Sequence, residues 1–362
     1  MQEYFFLSRV LMKFQKGKED LLSDISAVSL TPSGHLWIGS DELLTLERLS
    51  PIAPNIYGEQ TSFNLKNYLD MFDDKDEIDI EGMDYSEGYL WLTGSQSSKR
   101  KKPKGKGTKK DLKRLATIAY DANRFLLARV PVIEGELFKT CDWADGDNSK
   151  MTAALLEKDE KHGNVLLAAL QEDEHLSQFL KAEIPSKDNG LDIEGIVVHK
   201  NRVFLGLRGP VLRGWAVIIE IELIEKEKEP GVLTLKEIGK DNRKYRKHFF
   251  DLNGLGIREL CFYHDDLIIL AGPTMSLEGA MEVFVWQDVL KVDEDTINSQ
   301  EEDHLTTMFN LPFTLGNDHA EGLTLYPCLG QDNALLVVYD SPSDRRRISE
   351  TEIFADVFSL QI

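Results

Sequence analysis

Cysteine is scarce in this chain: three residues in 362, Cys141, Cys261 and Cys328, lie far apart. They lack the paired spacing of a zinc site or a redox couple, and an odd number of scattered thiols suits a reducing compartment. Long apolar runs are missing too. The stretch from Trp215 to Ile221 falls far short of the roughly 20 residues a membrane-spanning helix needs. The opening residues, MQEYFFLSRVLMKF, show no basic-then-apolar stretch ending in small residues, so no export signal is read. The expectation is a cytoplasmic protein with no membrane partner. The eight histidines form no HExxH pair and no GxSxG elbow occurs, which removes two hydrolase routes. PKGKGTKK has the composition of a phosphate loop without its Gly-Lys-Ser/Thr order.

Charge is present in excess and unevenly. The formal net charge is -20, yet residues 98–114 hold ten Lys or Arg against one Asp, a local +9 that leaves -29 for the rest. Such a body repels nucleic acid and anionic membrane over most of its surface. The segment 98–114 reads as a basic, mobile loop insertion, from its Gly, Lys and Pro content.

A repeat fixes the fold class. EGMDYSEGYLWLTG from Glu81, EGIVVHKNRVFLGL from Glu194 and ELCFYHDDLIILAG from Glu259 align without a gap. SAVSLTPSGHLWIG from Ser26 and EGLTLYPCLGQDNALLVVYD from Glu321 fit with a longer turn. Each is an apolar strand, a polar turn and a second strand. LLTLERL, LATIAYD, WAVIIEIEL and MEVFVWQ follow as third strands, and Phe-rich strands at Phe63, His248 and Met308 precede the next start. The unit is a four-stranded antiparallel meander, so the chain reads as one all-β domain over 1–362, a β-propeller. Five repeats are visible, and the doubled interval from Glu81 to Glu194 has room for a sixth or for insertions. Within it, KMTAALLEKDEK and NVLLAALQEDEHLSQFL show helical spacing, giving a helical insertion over 149–182. The last repeat lacks an outer strand, which YFFLSRVLMKF at the other terminus supplies, closing the ring.

The acidic starts would stand at one mouth of the channel. Residues two apart share a face, so Asp79 joins Glu81 and Asp192 joins Glu194, with Glu259 and Glu321 completing a carboxylate ring. Hard oxygen ligands favour calcium or magnesium. The antiparallel second strands return to the same mouth, bringing Lys99, Arg208, Arg213, Arg345 and Arg346 to the rim, where arginine grips phosphate or carboxylate. A Glu at a strand start has a second reading, as an acceptor for backbone N–H groups of the neighbouring repeat. His319, at a matched acidic position, reads as a structural hydrogen-bonder.

LDIEGIVVHKNRVFLGLRGP, IDIEGMDYSEGYLWLTGSQSSKRKK and HAEGLTLYP resemble an uncharacterised bacterial propeller family of unknown function, over most of the chain from Asp24 onward. The D-x-E-G starts are also similar to phytase-like and esterase-like propellers. That resemblance implies calcium held by channel carboxylates and phosphoester or ester hydrolysis. Here Ser26 replaces a carboxylate, and Ile257 and His319 break the upstream Asp pattern. The expected function is binding of a divalent cation and a small anionic ligand at the mouth, with hydrolysis as the reaction. A non-catalytic scaffold docking a protein partner is the alternative.

Overall fold

The computed structural model describes residues 5–17, 21–73, 77–142, 150–301 and 304–360. Strand accounts for 52% and helix for 11%, so the fold is all-β. Successive antiparallel meanders make it up. The first runs Ile25–Leu30, Leu36–Ser40, Thr45–Ala53 and Ile56–Asn64, and the second Gly82–Ser86, Tyr89–Thr93, Leu127–Ile133 and Ala154–Leu156. Next come Asp192–His199, Arg202–Leu212 and Trp215–Glu225, whose outer edge is shared by Val232–Leu235 and Arg246–Asp251. Then follow Gly256–Tyr263, Asp266–Gly272, Met281–Trp286 and Leu305–Leu311. The last meander is His319–Cys328, Gln331–Asp340 and Glu352–Ser359, and Phe6–Lys13 pairs antiparallel with that final strand.

Apolar residues alternate along these strands, and the apolar faces bury against the next meander. The core therefore divides into separate clusters between neighbours, such as Trp37, Phe63, Leu90 and Val130, or Phe204, Ile218, Phe250 and Trp286. The cluster of Val10, Ile25, Leu36, Leu336 and Val357 joins the last meander to the first. Each leading strand lies against the next one, and His319–Cys328 lies against Ile25–Leu30. Tight turns suit the twist. Glu87 and Gly88 both have positive φ, 47° and 80°, as a type I′ hairpin requires.

Glycine in the Glu-Gly pair has a steric cause. A Cβ at Gly82 would sit 2.3 Å from the carbonyl oxygen of Glu194, and one at Gly322 would sit 2.9 Å from the amide of Val28. The missing side chain lets the next leading strand approach.

Three local expectations are corrected. The third strand of the second meander is Leu127–Ile133, not LATIAYD, of which Ile118–Ala119 pairs instead with Lys99–Arg100. The basic segment is not irregular: helix Thr108–Leu115 sits between those two short strands. It is braced where Arg100 meets Asp188 at 2.6 Å and Arg114 donates to the Lys102 carbonyl at 2.6 Å. KMTAALLEKDEK is not helical; Lys150–Thr152 and Ala154–Leu156 are strands, because the run of Ala153 to Leu156 is claimed by the sheet edge at Ala128 and Arg129. The helical spacing does hold in Val165–Leu170 and Ser177–Lys181; Leu166, Leu167 and Leu170 of the first, with Leu176 just ahead of the second, pack on the third meander. Residue 149, the expected start of the helical insertion, lies outside the described residues.

Candidate functional site

Strand register decides which residue of each repeat points into the mouth. In the leading strands one residue is skipped between Ile25 and Ala27, between Ile193 and Gly195, between Ile257 and Glu259, and between Ala320 and Gly322. These are β-bulges, which re-aim one side chain. The bulged residues are Ser26, Glu194, Arg258 and Glu321; Glu81, just ahead of Gly82↔Thr93, holds the same place. The fourth repeat therefore contributes Arg258 to the mouth, and the expectation for Glu259 is off by one residue. Its upstream partner is Gly256, not Ile257.

The mouth is a network of acids answered by three buried arginines. Arg208 meets Glu194 at 2.5 Å and also pairs with Asp192. Arg258 lies 3.0 Å from the other oxygen of Glu194 and pairs with Glu321. Arg124, from a connection outside the repeats, pairs with Asp79 and donates to the Ser97 carbonyl at 2.7 Å. Burial pushes Asp192 up to about 6, with Arg208 pulling against it. Burial also raises Glu194 and Glu321, opposed by these arginines.

Asp41, Asp79 and Glu81 form a second group, with carboxylate oxygens all within 4.8 Å of one another. Asp41 follows the second strand of the first repeat. Neither Asp41 nor Glu81 accepts a hydrogen bond or ion pair from another described residue. Burial, then the charge of Asp79, holds both carboxyls well above their usual range. Arg124 meets only Asp79 of the three directly, and three converging hard oxygen donors suit calcium or magnesium. Glu194, Glu321 and Asp192 are instead committed to arginine.

Glu259 has the other role open to a Glu at a strand start. It is fully buried, and its Oε1 accepts the amides of Ile196 at 3.0 Å and Leu260 at 2.9 Å. Asp84 behaves likewise, its Oδ2 accepting the Val198 amide at 2.8 Å. Desolvation raises Glu259 well above its usual range and Asp84 to about 7. These two carboxylates tie neighbouring leading strands below the mouth.

Above the arginines lies a cavity of about 580 Å³, lined by Arg208, Arg258, Glu321, His319 and Asp340, by Lys101, Lys102 and Lys187, and by two rim loops. His319 Nδ1 is 3.5 Å from Asp340 and its Nε2 is 3.3 Å from Glu278. Its hydrogen bond to Asp340 raises its pKa above the ordinary histidine range, against desolvation. The other rim candidates do not converge here. Lys99 is held by Asp121 at 2.9 Å. Arg213 and Arg345 are exposed on turns. Arg346 is buried over the Tyr339 ring, bound to Asp318 at 2.9 Å and Asp356 at 2.7 Å, so it braces the last meander.

Aligning Ile25, Ile80, Ile193 and Ile257 puts Arg258 opposite Glu81 and Glu194, but the neighbouring Glu259 offers a competing match to the acidic starts. Asp41 was legible as the strand exit of the first repeat. Arg124 and Lys187 come from connections and carry no repeat signal.

Residues 24–356 match the family model described as "Protein of unknown function (DUF3616)". No curated protein matches the chain. Solved structures it is similar to include a putative oxidoreductase (glucose dehydrogenase) from Thermus thermophilus, 10% identical, with 97% of this chain and 100% of that one covered and a TM-score of 0.40. Aldose sugar dehydrogenase from Streptomyces coelicolor is 8% identical, with 99% of each chain covered and a TM-score of 0.34. Virginiamycin B lyase from Staphylococcus aureus is 10% identical, covering 92% of this chain and 67% of that one, at a TM-score of 0.33. At such scores the site's chemistry rests on this chain's own residues. No helix among the described residues is long and apolar enough to cross a membrane.

Proposed function

The chain belongs to the DUF3616 family of proteins of unknown function, and we propose that it is a five-bladed propeller, closed by its N-terminal strand, that binds a divalent cation and a small anionic ligand at one channel mouth. The blade count is supported by the cyclic contacts of the leading strands and by a doubled interval occupied by the basic excursion and the two short helices. The cation reading is carried by one observation: the carboxylate oxygens of Asp41, Asp79 and Glu81 converge within 4.8 Å, and only Asp79 of the three is in direct contact with an arginine. These three would hold calcium or magnesium, in place of the full set of Asp79, Glu81, Asp192, Glu194, Glu259 and Glu321.

The anion reading is supported by the charges lining the cavity. Each acid there has a basic partner: Asp188 has Arg100, Asp318 has Arg346, Glu321 has Arg258, and Glu278 and Asp340 share His319. Lys101, Lys102 and Lys187 line the same cavity without an ion pair among the described residues, so the uncommitted charge is positive. Arg208 and Arg258, fixed by their carboxylates, present guanidinium groups from the floor.

Phosphoester or ester hydrolysis is the reaction this arrangement supports best. A bound cation would polarise an ester oxygen. His319, held between Asp340 and Glu278, is the group that would donate a proton to a departing oxygen. Lys187 offsets the charge that develops on the anion.

The test is thermal unfolding after chelation, then with millimolar calcium, magnesium or manganese. A cation at a hundredfold excess over its Kd stabilises the native state by about 2.7 kcal/mol. The expected result is a rise in Tm with one of these ions that is lost in Asp41→Asn and Glu81→Gln. An unchanged Tm with every ion would overturn the cation site.

A further inference from the structure

The rim of the mouth cavity has a chemistry that cation and anion binding do not use. On one side stand Leu277, 60% exposed, and Phe313, 43% exposed, with Met275 beside them; on the other stands Leu115, 43% exposed. Large apolar groups left in water around a concave site mark contact with an apolar ligand surface. The wall is built, not incidental. Glu278 clasps the two rim loops, accepting the Gly316 amide at 3.1 Å while facing His319 at 3.3 Å. Within the first loop the Leu277 amide donates to the Thr274 carbonyl at 3.3 Å.

The floor is the opposite in character. Arg208 and Arg258 are only 4% and 7% exposed, and the exposed Lys187 lines the same cavity with no ion pair among the described residues. One buried nitrogen of this floor, Arg208 Nε, also lacks a hydrogen-bond partner among the described residues. Unsatisfied buried polar groups in a native fold call for a partner.

We infer that the ligand is an amphiphilic anion, a phosphate or carboxylate carrying an aryl or short alkyl body. The anionic head lies against Lys187, Arg208 and Arg258, and the apolar body lies along Phe313 and Leu277. A cavity of about 580 Å³ falls within the roughly 300–1,000 Å³ of small-molecule sites. The inference rests on the anion reading above and adds the substrate class. Inorganic anions and fully hydrophilic phosphates would gain nothing from the rim.

The experiment is calorimetric titration of the full chain with 1-naphthyl phosphate, inorganic phosphate and 1-naphthol. Naphthyl phosphate is expected to bind about tenfold or more tighter than phosphate, the return on burying an aryl face. The double substitution Leu277→Ser, Phe313→Ser touches only exposed side chains. It should erase that advantage and leave phosphate binding unchanged. Lys187→Ala should weaken both anions alike. Equal affinity of the two anions, or an advantage that survives the double substitution, would overturn the inference and leave the anion site standing. Binding of 1-naphthol as tight as that of its phosphate would overturn it as well. If neither anion binds, the anion reading itself falls, and the inference with it.

Discussion

Arg258 and Glu259 are adjacent in the chain, yet they belong to two regions with opposite rules for charge. At the mouth, acids meet side-chain cations: Glu194 sits between Arg208 and Arg258, and Asp79 sits against Arg124. Below it, Glu259 and Asp84 meet main-chain amides of neighbouring leading strands. A charge-pair network can be rebalanced by a ligand, because its members exchange one ion for another. A carboxylate bonded to backbone N–H groups has no such freedom, and its loss breaks the contact between strands. The bulge at Arg258 separates the two regions, turning one residue up and its neighbour inward.

The sharpest way to break that comparison is to remove the inward carboxylate. Glu259→Leu keeps the volume roughly and leaves the amides of Ile196 and Leu260 buried without acceptors. The expected loss is about 3 kcal/mol, since each orphaned donor costs roughly 1–3 kcal/mol. Glu259→Gln retains an acceptor oxygen and should cost less than about 1 kcal/mol. Urea unfolding with a constant slope would read both. A neutral Glu259→Leu would mean that the carboxylate does not tie the strands.

A smaller effect of opposite sign is expected at the mouth. Asp41→Asn with Glu81→Gln removes two acids that repel Asp79. In chelator the double variant should be more stable than the parent by about 1 kcal/mol, the scale of a relieved like-charge contact. The same variant loses the cation-dependent rise in Tm. Destabilisation in chelator would mean that Asp41 and Glu81 are structural, and the two regions would then follow one rule.

The repeat itself was plain in the sequence because each meander presents apolar strands at a steady interval and a Glu-Gly start. That glycine is legible for a physical reason: the next strand fills the space of its Cβ at Gly82 and Gly322. The bulge was not legible. An extra residue changes no composition, so the Glu at 259 drew the alignment one place from the true position of Arg258. Asp41 is marked only by its place at the strand exit of the first repeat, because Ser26 at the bulge, whose hydroxyl donates to the Ile80 carbonyl at 2.5 Å, gives that repeat no acidic start. The run Ala153 to Leu156 fits helical and strand periods alike, and only the unpaired edge of Leu127–Ile133 decides between them. Arg124 and Lys187 reach the mouth through long connections, where position follows from tertiary packing alone.

The finest separation between the regions is by pH. Burial raises Asp84 from 3.8 to about 7, so the folded protein binds this proton more tightly than the unfolded chain does. Stability from this group is complete below about 4, falls as pH rises through the interval, and is lost above about 7. Glu259 is raised in the same direction. The Tm of the parent in chelator should therefore decline between pH 5 and pH 8. Asp84→Asn keeps an oxygen for the Val198 amide and carries no ionisable proton, so it should flatten that decline by a few degrees, the shift expected for about 1 kcal/mol. A saturating divalent cation at the proposed site of Asp41, Asp79 and Glu81 should leave the Asp84 part of the slope in place. If the cation abolishes the whole pH dependence and Asp84→Asn changes nothing, the titrating acids are those of the mouth alone, and the interior carboxylates remain ionised in their amide nests.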